Sequence, residues 1–325
     1  MHDADEALRA LNPRPAGKST TSDVEEQELL QRILVTAQEP RRRPRRRPLV
    51  AAMALSIATA VTVAVGIGLF DSPAQQPAYA ATPPPLAITE SDGRSAEQVL
   101  EDIASRVEAI PEEDSAGERH YFAQEMWSLT TRFDGQQVTS AVVPEHREAW
   151  KETDGSFTWS TTAGQPEFQN DRQREVWEEQ WAQVGEPAER SGTGASPYGD
   201  PPFHPLEMED WLFDGAPADP AGMISESLVA RTMTTYFSPE QRAAVLRVLA
   251  SIDDLEYEGM TTDRAGRTGL AVSIESSASG LPSRHTLVID QETGKILGYE
   301  QELTTDAGEL NVEVPAVINY VTFLE

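Results

Sequence analysis

The chain has 325 residues with 26 Lys/Arg against 54 Asp/Glu, no cysteine, and a formal net charge of −28. So negative a surface repels nucleic acid and anionic headgroups, and the missing cysteines remove disulfides, thiolate nucleophiles and cysteine-ligated zinc together. The charge is segregated. Residues 1–48 hold ten Lys/Arg and eight Asp/Glu, leaving 16 basic and 46 acidic side chains in the rest of the chain.

The first 21 residues are polar. Ser22 and Glu25 then have capping-box spacing, and Leu30, Ile33, Leu34 and Ala37 share one face of the helix that follows, which Pro40 ends. A single short helix makes no core. Its apolar face calls for a cytoplasmic protein partner, a second copy or the membrane surface, and Leu30, Ile33 and Leu34 are the candidate docking residues. A frayed helix leading into the membrane is the alternative.

From Leu49 to Phe70 the chain is uncharged over 22 residues, and a helix of that length, roughly 33 Å, matches the bilayer hydrocarbon. Arg41, Arg42, Arg43, Arg45, Arg46 and Arg47 stand just before it, and Asp71 follows. By the positive-inside rule this places the N-terminus in the cytoplasm and residues beyond Phe70 outside the cell membrane. The arginines serve topology and contact with anionic lipid rather than nucleic acid. Ala78-Tyr79-Ala80 resembles a signal-peptidase site, so cleavage after Ala80 is a rival to a permanent single-pass anchor. Ala52, Ser56, Ala60, Ala64 and Gly68 recur every fourth residue, a ridge of small side chains along which two spans can approach, which makes a homodimer an expectation of the same segment.

Residues 71–92, rich in Pro, Ala and Gln, read as an extended stalk. Residues 93–325 read as one acidic extracytoplasmic domain. Ser95 and Gln98 form a second capping box, and Val99, Leu100, Ile103, Val107 and Ile110 give an amphipathic stripe closed by Pro111. From His120 the pattern turns to strands, separated by the turn dipeptides Asp134-Gly135 and Asp154-Gly155. Residues 171–184 read as a helix and the stretch to Asp200 as a long surface loop. Asp219-Pro220 and Ser238-Pro239 each place proline at the first position of a helix. Period-two alternation then runs from Leu255 to Leu324 through turns at Asp263–Gly266, Ser277–Ser283, Gln291–Gly294 and Asp306–Gly308. Strands joined in this way form an antiparallel meander. The expected fold is α+β: one transmembrane helix, then an antiparallel curved sheet with helices packed on one face.

No catalytic constellation stands out. The five histidines show no metal-ligand spacing, and no phosphate loop, nucleophile elbow or dinucleotide fingerprint is present, so the reading is non-enzymatic with no metal and no cofactor. Trp127, Trp150 and Trp159 lie on strand-like stretches and are the candidate lining of an apolar ligand site if the sheet curves around one. Core packing is the plainer use of each.

The arginine-rich stop before the span, the Ala81-Thr82-Pro83-Pro84-Pro85-Leu86 juncture, the early helix and the hairpin from Ile289-Asp290 through Glu292-Thr293-Gly294 to Ile296-Leu297-Gly298 together resemble a family of uncharacterised actinobacterial single-pass membrane proteins. Some members are encoded near sigma-factor genes, so the resemblance implies the same topology and an accessory or anti-sigma-like role. The chain departs from zinc-type anti-sigma factors in lacking their His and Cys ligands. Its meander is also similar to the sheet of periplasmic lipoprotein carriers and of envelope sensors sharing their fold, an analogy of fold alone. The leading expectation is an anchored sensor or accessory regulator that binds an envelope protein or apolar ligand outside and a cytoplasmic protein inside. An anchored lipid or lipoprotein carrier is the alternative.

Overall fold

Alternating apolar residues along successive strands give a sheet one buried face, and in the computed structural model of the protein that face is covered by helices. The structure describes residues 82–111, 119–134, 137–168, 170–181, 190–195, 198–310 and 312–324. The chain divides into two compact units, residues 1–51 and 52–325, and every described residue belongs to the second. The Leu49–Phe70 span, its small-residue ridge, the arginine cluster and the Leu30–Ala37 face lie outside the described residues. No helix among the described residues is long and apolar enough to cross a membrane.

In chain order the elements are β1 (Ile88–Glu90), α1 (Ala96–Glu108), β2 (His120–Asp134), β3 (Gln137–Lys151), β4 (Ser156–Ala163), α2 (Asp171–Trp181), β5 (Arg190–Ala195) and α3 (Pro205–Phe213). Next comes α4, a helix of three segments: Pro220–Gly222, the π-helical Met223–Leu228, and Val229–Thr232. Then follow α5 (Pro239–Ala250), β6 (Glu256–Thr262), β7 (Thr268–Ser276), β8 (Ser283–Ile289), β9 (Ile296–Leu303) and β10 (Ala316–Phe323). All ten strands form one antiparallel open sheet in the order β1-β6-β7-β8-β9-β10-β2-β3-β4-β5. The domain is therefore α+β, and the expected meander is β6 to β10.

Helix starts follow local chemistry. Ser95 and Gln98 make a reciprocal capping box on α1, and Ser238 and Gln241 make one on α5, where Pro239 takes the first position without losing a needed N–H. The main core joins Leu100, Ile103 and Val107 of α1, Leu246 and Leu249 of α5, Leu228 of α4 and Leu212 of α3 to the inward row of the sheet. That row is Leu270 and Val272 on β7, Leu287 and Ile289 on β8, Tyr299 on β9, and Val321 and Phe323 on β10. A smaller apolar cluster of Trp127, Leu129, Val142, Leu303, Val312, Ala316 and Ile318 lies at the junction of β2, β9 and β10.

Three segments differ from the sequence reading. The end of the expected stalk is part of the sheet: β1 pairs with β6, Arg264 donates to the Pro84 carbonyl at 3.0 Å, and Leu86 N–H donates to Glu300 at 3.1 Å. Gly259 makes that pairing feasible, because its φ of +129° is accessible to glycine and a Cβ there would stand 1.8 Å from the Thr89 carbonyl oxygen. The expected loop before Asp200 contains strand β5, whose Gly192 lies flat under the Trp159 indole, 3.0 Å from where a Cβ would project. Helix α3 has too short an apolar pattern to announce itself; His204 caps it by accepting the Leu206 N–H, and Pro205 opens it.

Candidate functional site

The strand register decides which side chains meet. Gln124 on β2 pairs with Arg147 on β3, and Arg147 with Thr161 on β4, so the three stand in one row across the sheet. The parity of β2 sets the face: Met126 packs against the main helical core, so Gln124 and its row face the same side. Phe122, Ala149 and Phe157 lie one position along that face and form a third apolar cluster with Trp159 and Tyr236.

Into this face comes Arg231 from the last segment of α4. Its guanidinium donates to Ser227 Oγ, to the Trp211 carbonyl at 2.8 Å and to the Asp214 carbonyl at 3.1 Å, closing the C-terminal end of α3 with a cation where the helix dipole favours one. The same group lies 4.5 Å from the centre of the Tyr198 ring and 4.6 Å from that of Trp211. Arg147 lies 5.3 Å from the centre of the Trp159 ring. Burial holds both guanidiniums below their ordinary values, though each stays a cation at any relevant pH. Burial raises the Tyr198 phenol, and the charges of Arg231 and Arg147 oppose that rise.

Arg147 is 7% exposed and Arg231 4%, and neither has an ion pair among the described residues. Glu145, two residues before Arg147 and on the same face of β3, is paired with Arg190. Arg147 Nε and Nη2, Arg231 Nε and Gln124 Oε1 are buried with no hydrogen-bond partner. A buried donor or acceptor left unpaired costs about 1–3 kcal/mol, so four on one face call for an explanation. Arg264 Nε and Arg284 Nε are also buried without a partner, but those guanidiniums have carboxylates, Glu300 and Glu275, as Arg267 has Asp263 at 2.6 Å.

Two other places hold chemistry-bearing groups. On the face of the sheet covered by the helices, His285 Nδ1 and Tyr299 Oη are 2.8 Å apart. Burial pushes the imidazole down to about 4 and the phenol well above its usual range, so at neutral pH this is a buried network of uncharged groups. At the C-terminal end of α5 a 260 Å³ cleft is lined by Glu209, Phe213, Val248, Ile252, Asp253 and Asp254 among others. No group of three or more His, Asp or Glu among the described residues could hold a metal ion.

The three tryptophans singled out from the sequence do not share a surface. Trp159 lies on the helix-side face beside Arg147. Trp127 lies on the opposite face, 5% exposed and stacked on Tyr320 at 5.7 Å. Trp150 also faces away, tilted against Tyr121, with Arg119 over its ring. The residues that converge with Trp159 are Arg147, Gln124, Arg231 and Tyr198. A lone arginine in a strand carries no spacing signal, and only the register brings Arg147 to Gln124.

No protein-family model matches the chain, and no curated protein sequence matches it.

Proposed function

We propose that the protein is a membrane-anchored, non-enzymatic binding protein of the cell envelope, a sensor or accessory regulator whose outer domain takes a ligand on the helix-side face of β2 to β4. A single helix at Leu49–Phe70 anchors it with the N-terminus inside, and the arm presents Leu30, Ile33 and Leu34 to a cytoplasmic protein. The observation that carries the outer half of this reading is the row of buried, unpartnered polar atoms on Gln124 and Arg147, roofed by Trp159. The pinning of Pro84 and Leu86 to Arg264 and Glu300 supports action close to the bilayer, because the 13 residues between Phe70 and Pro84 reach at most about 50 Å. The regulatory half rests on topology and on the resemblance to membrane proteins encoded near sigma-factor genes.

The carrier alternative calls for a lipid-sized space between helices and sheet. That space, over β7 to β10, is occupied by Leu100, Ile103, Leu246 and Leu249 packed on Leu270, Leu287 and Tyr299, which favours the binding-protein reading.

Native mass spectrometry of the full-length protein taken from its own membranes tests the proposal. The expected result is an adduct that is lost in Trp159→Ala and retained in Trp150→Ala, whose ring points to the other face. An adduct insensitive to both, or equally sensitive, would remove the β2–β4 face as the binding site.

A further inference from the structure

We infer that the ligand of this face is an organic oxyanion, a carboxylate or phosphate group, gripped side-on by Arg147. The inference rests on the proposed binding function and names its chemical class.

The two unpartnered atoms of Arg147 are Nε and Nη2. These lie on the same edge of the planar guanidinium and point two parallel N–H groups in one direction. That edge matches two oxygens of a carboxylate or phosphate in a bidentate pair, and no neutral acceptor with one oxygen fills it. No carboxylate of the described residues fills it either. Glu145 is engaged by Arg190, and Arg147 has no ion pair among the described residues, whereas Arg264 and Arg267 have Glu300 and Asp263.

The surroundings favour a negative group. Arg231 is a second buried cation on this face, with Nε unpartnered and its guanidinium 4.5 Å from the Tyr198 ring centre; Glu145 and Asp214 are the carboxylates that act on Arg147 and Arg231, and neither carboxylate is bonded to them. Trp159 covers Gly192, and its ring centre lies 5.3 Å from the Arg147 guanidinium, close enough for a cation–π contact that leaves the in-plane N–H groups to another partner. Phe157 and Tyr236 continue the apolar floor beside it, suited to the hydrocarbon that carries the anionic group.

The test uses the full-length protein in phosphatidylcholine nanodiscs at constant ionic strength. Hexanoate, hexyl phosphate, inorganic phosphate and hexanol are titrated, with tryptophan fluorescence and the Arg147 Nε–H resonance as readouts. That resonance is assigned by its loss in Arg147→Lys, and it reports on the unmutated protein even if the variant folds poorly. The expected result is that hexanoate and hexyl phosphate bind at least tenfold more tightly than hexanol, shift the Arg147 resonance, and lose at least tenfold in affinity in Arg147→Lys, which keeps the charge but not the edge. Hexanol binding as tightly as hexanoate, with Arg147→Lys unaffected, would overturn the oxyanion and leave the binding function standing. Anion binding equal in the wild type and Arg147→Lys would reduce the effect to general charge and overturn it too. An Arg147 Nε–H that is protected without ligand and unmoved by any anion would mean that Gln124 Oε1 closes the edge from within, and would also overturn it.

Discussion

His285 should make the domain lose stability as pH falls from 6.5 to 4. Its imidazole is 3% exposed, bonded through Nδ1 to Tyr299 and pushed by burial down to about 4, with Asp219 pulling weakly the other way. In the unfolded chain it protonates near 6.5. Above 6.5 the group is neutral in both states and contributes nothing to the pH dependence. Between 6.5 and 4 the unfolded chain binds a proton that the folded one refuses, so the unfolding free energy falls with pH, and below 4 the loss is complete. The interval from 6.5 to about 4 corresponds to about 3 kcal/mol at 1.36 kcal/mol per pH unit. Carboxylates whose pKa values burial raises, Glu226, Glu300 and Glu302, act in the opposite sense, so the wild-type curve alone does not isolate the histidine. The comparison with His285→Asn does, because asparagine keeps an acceptor near the Nδ1 position and cannot take up the proton. Urea unfolding of both proteins, followed by tryptophan fluorescence at pH 7, 5.5 and 4, should show the wild type losing about 3 kcal/mol relative to the variant. A difference that stays constant across that range would refute the reasoning, as would an imidazole that titrates near 6.5 by NMR.

Glu300→Gln leaves the Arg264 guanidinium without its carboxylate at a site 4% exposed on the glutamate side, and should cost about 2 kcal/mol in urea unfolding. Because the same pair holds Pro84 and Leu86, thermolysin should also cut within residues 84–90 faster than in the wild type. Gly259→Ala places a Cβ 1.8 Å from the Thr89 carbonyl at a φ of +129°, so it should release β1 from β6, seen as loss of amide-exchange protection at residues 88–90 with the β7–β9 amides unchanged. Leu100→Ala empties a fully buried position between α1 and the sheet and should destabilise by about 3–4 kcal/mol in the same assay. Protein recovered from membranes should have the full-length intact mass and an arm protected from external protease, whereas a product starting at Ala81 would replace the anchor with a secreted domain.

The α1 and α5 starts could be read from four residues each, because a capping box and a first-turn proline act within one turn of backbone. The β6–β10 meander was equally visible, since its turns are short and each strand's alternation is local. Besides the short helix α3, two strands escaped, each for its own reason. β5, with the sequence Arg190-Ser191-Gly192-Thr193-Gly194-Ala195, has almost no apolar side chain, and its strand state comes from pairing with β4 and from a bare surface that accepts Trp159. β1 looked like stalk because it is three residues long and draws its stability from Gly259 and from the clamp at Arg264 and Glu300.

Of the candidate site only Trp159 was legible, as one of three strand tryptophans, although every one of its residues is in plain view in the chain. The parity that separates Trp159 from Trp127 and Trp150 is set by register, and a shift of one residue in β3 would exchange the faces. Composition, charge segregation, the 22-residue apolar run and the local helix and turn signals are properties of neighbouring residues, and the sequence alone determines them. Which strand lies beside which is not local. β10 joins β2 across nearly 200 residues of chain, Asn319 opposite Ser128 through Phe323 opposite Gln124, and that pairing unites the meander and the β2–β5 wing in one sheet. Only after that closure do Gln124 and Arg147 of the wing meet Arg231 and Tyr198 from the chain between, because long-range burial of the β9, β10 and β2 faces under α1 and α5, not any short-range preference, holds them there.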